Sequence, residues 1–232
     1  MDVMARNRPP VKRISIKVRD DVRVSGLLQM LPAARACYIL APGAGAGMDH
    51  PFMAAVATEL ARRGFATLRY QFPYMERGAK RPDPPQLAHT TVRAAVAAAG
   101  TLQSEVPLIA GGKSFGGRMT SQAQAISPLE GVRGLAFLGF PLHRAGRPSH
   151  DRADHLFDVQ IPMLFLQGTR DPLASLEELE PICKKLGRRA SLKLFLEADH
   201  SFHVPARTGR NDAQVLGEVL DALTAWIDGL VA

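Results

Sequence analysis

The chain has 232 residues, and its Leu, Ala and Val content is sufficient to build the core of one α/β domain. The formal charge is +7, from 29 Lys and Arg against 22 Asp and Glu, but the basic residues are scattered, which argues against a nucleic-acid-binding protein. The two cysteines are too few for a disulfide framework or a cysteine metal site. The sequence has neither a signal-peptide-like apolar run nor the roughly 20 apolar residues that span a bilayer. We therefore predict a cytoplasmic protein with no membrane partner.

The first predicted element is an antiparallel hairpin. Residues 1–12 are predicted to form a loose N-terminal arm, and residues 13–30 alternate apolar and polar side chains around Asp20 and Asp21. From Ala36 onward, short continuous apolar runs alternate with amphipathic segments, which is typical of a mostly parallel sheet covered by helices on both faces. The predicted strands are 37–41, 65–70, 106–111, 134–140, 163–167 and 192–196.

Helices are predicted between these strands. They cover 51–63, 85–102, 173–186 and a C-terminal segment capped by Asn211 or Asp212. No repeat or linker divides the chain, which therefore forms a single domain, 1–232. Two loops, 71–84 and 141–160, follow strands and should lie at the carboxyl edge of the sheet, where ligands bind. Neither loop is long enough to form a cap domain.

A G-x-S-x-G motif, Gly112 to Gly116, follows the predicted strand 106–111 directly. A strand that turns sharply into a helix at such a motif lifts the Ser114 hydroxyl clear of the sheet edge. Strand and helix pass so close there that a Cβ at either outer glycine would collide with the other element. The motif therefore predicts a nucleophile elbow.

A serine hydroxyl needs an adjacent base, and that base needs a group to orient it. In the chain order Ser, acid, His, the acid should end a later strand and the histidine should follow the next one. Asp171 and His200 meet both conditions behind Ser114. His203 is the second choice for the base. Asp199 is the second choice for the acid, because a direct neighbour of His200 has difficulty reaching its Nδ1.

Two N–H donors are expected for the oxyanion that forms during acyl transfer. One is the backbone N–H of Phe115, and the other comes from the glycine-rich turn after the first parallel strand, with Ala44 preferred and Gly45 second. Gly45 is also a candidate substrate-binding residue. Tyr74 and His143, from the two long loops, are the other candidates.

Rival motifs fit poorly. From Gly43, the third glycine of a dinucleotide fingerprint would fall on Met48, and from Gly45 it would fall on His50. The first glycine of a P-loop would fall on Pro107. The sequence also lacks an H-E-x-x-H motif or a cysteine cluster. We predict neither a cofactor nor a catalytic metal.

The elbow, the Ser–Asp–His order and the glycine-rich turn resemble the α/β-hydrolase superfamily over nearly the whole chain. Four strings are more specifically similar to a small group that includes dienelactone-hydrolase-like proteins and testis-expressed protein 30. These strings are 69–75, 139–143, 167–172 and 198–202. Pro42 departs from the pattern, since many relatives have histidine before the oxyanion glycine.

The resemblance implies an α/β-hydrolase fold without a cap, and hydrolysis of a small acyl substrate through an acyl-enzyme. Ser114 would attack the carbonyl, His200 would take and return the proton, and Asp171 would hold the imidazole. An esterase and a thioesterase both fit this scheme. The alternative is a catalytically silent member that keeps the fold as an interaction module. The sequence gives no indication of the oligomeric state.

Overall fold

The computed structural model describes residues 10–147 and 149–232. Its framework is one eight-stranded sheet in the order β1-β2-β4-β3-β5-β6-β7-β8. The strands are β1 Val11–Arg19, β2 Val22–Gln29, β3 Cys37–Ala41, β4 Ala66–Tyr70, β5 Leu108–Lys113, β6 Val132–Leu138, β7 Met163–Gly168 and β8 Ala190–Phe195. The helices are α1 Pro51–Arg62, α2 Pro73–Glu76, α3 Pro85–Leu102, α4 Phe115–Ile126, α5 Leu176–Leu186 and α6 Asp212–Val231.

The strand directions confirm the predicted architecture. β1 pairs antiparallel with β2, and β2 pairs antiparallel with β4. The remaining neighbours, from β4 through β3 to β8, are all parallel. The N-terminal arm was predicted to reach residue 12, but Val11 and Lys12 belong to β1. Pro10 directly precedes that strand, and residues 1–9 lie outside the described residues.

The central strands of the sheet are buried on both faces, as β3 illustrates. All five of its residues are buried, and successive side chains point to opposite faces. Cys37 and Ile39 join the apolar core beneath α3, α4 and α5, whereas Tyr38 and Leu40 join the core beneath α1 and α6. This two-sided burial explains why the parallel strands appear in the sequence as continuous apolar runs.

Most helix ends follow the local signals in the sequence. The bounds of α3 match the prediction, and Asn211 caps α6 in a capping box in which its side chain and backbone exchange hydrogen bonds of 2.9 Å with Gln214. α5 begins at Leu176, three residues later than predicted, with Ser175 at its N-cap. α2 is a short helix within a segment that we predicted as a loop.

None of the helices in the described part of the chain is long and apolar enough to span a bilayer.

The carboxyl ends of the parallel strands carry the segments relevant to function. Within residues 10–147 and 149–232, the loop between β6 and β7 contains only the short 3₁₀ helix Asp154–Asp158, and no helical cap domain lies in it. The edge is therefore left open to small molecules.

Candidate active site

The G-x-S-x-G motif forms a sharp turn between β5 and α4. Ser114 has φ 50° and ψ −114°, a conformation that costs energy for a residue with a side chain. A Cβ on Gly112 would lie 2.2 Å from the carbonyl oxygen of Ala41, and one on Gly116 would lie 2.5 Å from the same atom. These distances confirm the steric reason for the two glycines. The turn has the form of a nucleophile elbow.

His200 and Asp171 lie together at the same edge of the sheet. Nδ1 of His200 is 2.6 Å from Oδ2 of Asp171. The carboxylate is fully buried, and the imidazole is 19% exposed. Because a carboxylate can only accept, Nδ1 carries the proton, which leaves Nε2 of the neutral ring as an acceptor. This is the tautomer that a general base for a serine hydroxyl requires.

Asp171 is held by two further donors. Nε2 of Gln167 donates to Oδ2 at 2.5 Å, and the backbone N–H of Leu173 donates to Oδ1 at 2.8 Å. The other end of the Gln167 amide accepts from the N–H of Phe140 at 2.8 Å, so its orientation is fixed. Gln167 was missed by the sequence analysis. Its place at the end of β7, four residues before the acid, was the available signal.

Ser114 and His200 line one cavity of about 410 Å³. Within the described residues, the side chains of Ser114 and His200 are not hydrogen-bonded to each other. In an enzyme without substrate this contact is often long or poorly aligned, and it tightens when the substrate binds. The rest of the lining is largely apolar. It comprises Gly43, Ala44, Ala46, His50, Phe52, Met53, Lys113, Leu173 and Ser201.

The glycine-rich turn distinguishes the two oxyanion candidates. The N–H of Gly45 donates to the hydroxyl of Tyr74 at 3.3 Å. The N–H groups of Ala44 and Phe115 have no acceptor in the part of the chain that the structure describes. Ala44 also lines the cavity with Ser114. Two free donors near the elbow are the arrangement that a developing oxyanion needs.

Tyr74 and Gly45 therefore contact each other in the structure. The Tyr74 side chain is 1% exposed, and its backbone N–H donates to the buried carboxylate of Asp83 at 2.7 Å. Asp83 is also paired with Arg77, with Nη2 and Oδ1 2.6 Å apart. These bonds attach the loop after β4 to the glycine-rich turn. Tyr74 thus supports the shape of that turn.

His143 is not among the residues that line the cavity. Its ring is 5% exposed, and its Nδ1 lies 2.8 Å from the carbonyl oxygen of Arg144. Nε2 is 2.9 Å from Oε2 of Glu178, yet the angle falls outside hydrogen-bond geometry, and Nε2 has no hydrogen-bond partner among the described residues. The N–H of His143 donates to the Leu173 carbonyl at 3.1 Å. These contacts hold the loop after β6 against the wall of the cavity.

His203 and Asp199, the second choices for the base and the acid, have other partners. Nδ1 of His203 lies 2.9 Å from the Asp212 carboxylate, which raises the pKa of this exposed histidine. Oδ1 of Asp199 accepts from the backbone N–H groups of Ser201 and His203, at 2.7 and 3.0 Å. Asp199 therefore shapes the turn that carries His200. The geometry favours Asp171 as the acid.

Lys113, the residue before Ser114, is a further part of the site that the sequence analysis did not identify. Its Nζ donates to the backbone carbonyl of His200. Burial lowers the pKa of its ammonium to about 8, although the charges of Asp171 and Asp199 oppose that shift. The only sequence signal was its position inside the motif.

A second serine–histidine pair joins α4, through Ser121, to the loop after β6, through His155. Oγ of Ser121 donates to the carbonyl of Arg118 at 3.0 Å and lies 2.7 Å from Nε2 of His155. Burial, with the nearby charge of Arg118, lowers the pKa of His155 to about 4. Ser121 is buried within a helix and does not line the cavity that contains Ser114. The pair is better suited to joining α4 to the loop after β6 than to nucleophilic attack.

A larger cavity lies elsewhere in the described residues. It measures about 800 Å³ and is formed around the end of α3 and the starts of β5 and β6. No histidine or cysteine lines it, so we assign it no catalytic role. In addition, no group of three His, Cys, Asp or Glu residues that could hold a metal occurs in the described part of the chain.

Comparison with known proteins gives a family match and several structural neighbours. Residues 34–228 match the family model described as the alpha/beta hydrolase domain. A dienelactone hydrolase from Anabaena variabilis superimposes with a TM-score of 0.78 at 21% identity, covering 97% of this chain and 100% of that chain.

Two other solved structures share the fold. An α/β serine hydrolase without a lid from Xanthomonas campestris has a TM-score of 0.71 at 18% identity, with 93% of this chain and 94% of that chain covered. Est1E from Butyrivibrio proteoclasticus has a TM-score of 0.71 at 17% identity, with 93% of this chain and 99% of that chain covered. At these identities the likeness concerns the fold.

Proposed function

This chain belongs to the α/β-hydrolase family, and we propose that it is a serine hydrolase that cleaves small esters or thioesters through Ser114, His200 and Asp171. The observation that carries the proposal is the 2.6 Å contact between His200 Nδ1 and Asp171 Oδ2, beside a cavity that both His200 and Ser114 line. The structural neighbours of this chain include proteins described as serine hydrolases and esterases. The residue assignments rest on this chain's own geometry.

In the first half of the reaction, Oγ of Ser114 bonds to the substrate carbonyl carbon while its proton passes to Nε2 of His200. Asp171 stabilises the imidazolium through Nδ1. The tetrahedral intermediate then collapses, the bond from carbon to the leaving oxygen or sulfur breaks, and His200 gives its proton to the leaving group. The product of this half-reaction is an acyl-enzyme on Ser114.

In the second half, water attacks the acyl carbon and gives a proton to His200. Collapse of this second intermediate releases the carboxylic acid and returns the proton to Ser114. In both halves the oxyanion would accept hydrogen bonds from the N–H groups of Ala44 and Phe115, whose lack of other acceptors in the described residues supports this role. One such donor typically contributes about 10²–10³ in rate. The scheme needs no cofactor.

The cavity limits how much of an acyl chain can be buried. Its apolar lining includes Phe52, Met53 and Leu173, and its volume is about 410 Å³. An apolar chain that fits inside is stabilised by about 0.8 kcal/mol for each buried methylene. Carbons beyond the cavity gain little.

We therefore expect kcat/KM on p-nitrophenyl esters to rise about tenfold or more from the acetate to the hexanoate and to rise little further to the dodecanoate. Initial rates on a series of increasing chain length measure this, with each ester kept below its critical micelle concentration. Matched acyl-thioesters would distinguish an esterase from a thioesterase. A rate that keeps rising to the dodecanoate would contradict the proposed pocket.

Fluorophosphonate labelling tests the nucleophile directly. The probe forms a covalent bond only with an activated serine, so the wild-type protein should be labelled at Ser114, as located by peptide mass spectrometry. Ser114→Ala should not be labelled. Ser121→Ala, which removes the other serine that contacts a histidine, should be labelled as strongly as the wild type. A folded wild-type protein that takes up no probe would instead favour the catalytically silent interaction module.

A further inference from the structure

Lys113 has no role in the reaction scheme, although it is adjacent to the proposed nucleophile. Its side chain reaches from the end of β5 to the turn after β8, where Nζ donates a hydrogen bond to the backbone carbonyl of His200. One side chain therefore connects the elbow that carries Ser114 to the turn that carries the proposed base. These are the two segments whose separation must be correct for proton transfer.

The ammonium lies in a confined position. Phe52 and Phe202 stack with ring centroids 6.3 Å apart and planes 8° apart. Nζ of Lys113 is 6.0 and 5.7 Å from those two centroids. On another side, a Cβ on Gly139 would lie 2.9 Å from Nζ. The aromatic faces stabilise a cation, and the absent side chain of Gly139 leaves space for it.

The turn after β8 needs such support. Glu197 has φ 62° and Phe202 has φ 63°, and each conformation costs energy for a residue other than glycine. Strained backbone persists only where surrounding contacts fix it. Lys113 supplies the hydrogen bond to the carbonyl of His200 itself. Loss of that bond would allow the histidine to move relative to Ser114.

We propose that the charged ammonium of Lys113 is a positioning group that sets the separation of Ser114 and His200 by holding the His200 carbonyl against the elbow. This inference rests on the proposed function. Lys113 acts on the reaction through His200 and does not touch the reacting atoms. A charged donor binds a carbonyl more strongly than a neutral amine does, so positioning depends on the protonated form.

The groups around Lys113 determine when it is protonated. Asp171 approaches from the loop after β7 and Asp199 from the turn after β8, and both favour the ammonium. His50, before α1, and His200 line the same cavity. Burial outweighs the two carboxylates and lowers the Lys113 pKa to about 8. The ammonium is therefore mostly charged at neutral pH, and its positioning effect is lost as the pH rises through about 8.

Lys113→Met and Lys113→Arg test the proposal in steady-state assays with a soluble p-nitrophenyl ester across the pH range. Methionine has a similar length and suits the aromatic surroundings, but it cannot donate. We expect its kcat at neutral pH to fall about 10²-fold, with KM changing less than about threefold, because a displaced base slows chemistry more than binding. The decline in wild-type activity above about pH 8 should be absent from its profile.

Arginine keeps a charged donor at every accessible pH. Lys113→Arg should therefore retain a higher kcat than Lys113→Met and should lack the decline in the alkaline range. Lys193→Met, which removes a lysine from an exposed position on β8, is the matched control and should keep the wild-type profile. Thermal unfolding and circular dichroism check that each variant is folded.

Wild-type kcat and a wild-type alkaline decline in Lys113→Met would overturn the inference. If Lys113→Met does not fold, an alkaline decline in the activity of Lys113→Arg equal to that of the wild type would also overturn the inference. Ser114→Ala separates this failure from failure of the proposed function. If activity is lost in Ser114→Ala while the Lys113 variants match the wild type, only the positioning role is wrong.

Discussion

Replacing Ser114 with alanine should lower kcat by about 10⁴- to 10⁶-fold, since removal of a triad serine leaves only binding and oxyanion stabilisation. The N–H groups of Ala44 and Phe115 remain in the variant, so a residual rate above that of water is expected. Alanine has the same difficulty as serine with the observed φ of 50°, so the elbow should keep its strain. Substrate hydrolysis under saturating conditions, with purified and folded protein, gives the measurement.

Ser121→Ala is the matched control for that experiment. Ser121 also contacts a histidine, at 2.7 Å, but it is buried in α4 and does not line the cavity. We expect its removal to change kcat by less than about tenfold, with a loss of stability of about 1–3 kcal/mol because His155 loses its partner. The reverse result, in which Ser121→Ala is inactive and Ser114→Ala is active, would reject the assigned nucleophile.

Asp171→Asn should lower kcat by about 10⁴-fold. The carboxylate now accepts from three groups, His200 Nδ1, Gln167 Nε2 and the N–H of Leu173. An asparagine has one accepting oxygen and an NH₂ group that can only donate. If the NH₂ group faces His200, it favours the ring form with the proton on Nε2, which cannot accept the serine proton.

Asp199→Asn provides the comparison for the acid. Asp199 directly precedes His200, and its Oδ1 accepts only backbone N–H groups, so asparagine can replace it there. We expect a loss of less than about tenfold in kcat, with a moderate loss of stability. Equal losses of kcat in Asp171→Asn and Asp199→Asn would contradict the assignment of Asp171 as the partner of His200. Kinetics and thermal unfolding on both proteins separate the two effects.

Much of the fold was predictable because the two-sided burial of the sheet produces a distinctive pattern. β3 was predicted with its observed bounds, and α3 likewise. Errors occurred where local signals conflict with tertiary contacts. β5 continues to Lys113, beyond the predicted end at residue 111, because glycines with no apolar side chain still pair with β6. α2 lies in a proline-rich segment that lacks any apolar periodicity.

The candidate site was predictable where a role requires a particular residue type at a particular strand end. Ser114, Asp171 and His200 are of this kind, and the structure joins the last two by a hydrogen bond. Gln167 and Lys113 were not predicted, because an amide or an ammonium can act from many positions, so a place near the acid or inside the motif does not assign a role. Their roles depend on contacts between segments that are distant along the chain.

The positive φ angles of Ser114, Glu197 and Phe202 all occur in the two turns that hold the proposed nucleophile and base, and the other non-glycine residues that the structure describes have negative φ. Conformational cost is thus confined to a small part of the molecule. Engineering for heat resistance can therefore concentrate on the helices and the hairpin, where improvement of surface residues need not trade against turnover. Relaxing either turn would gain stability at the expense of reactivity.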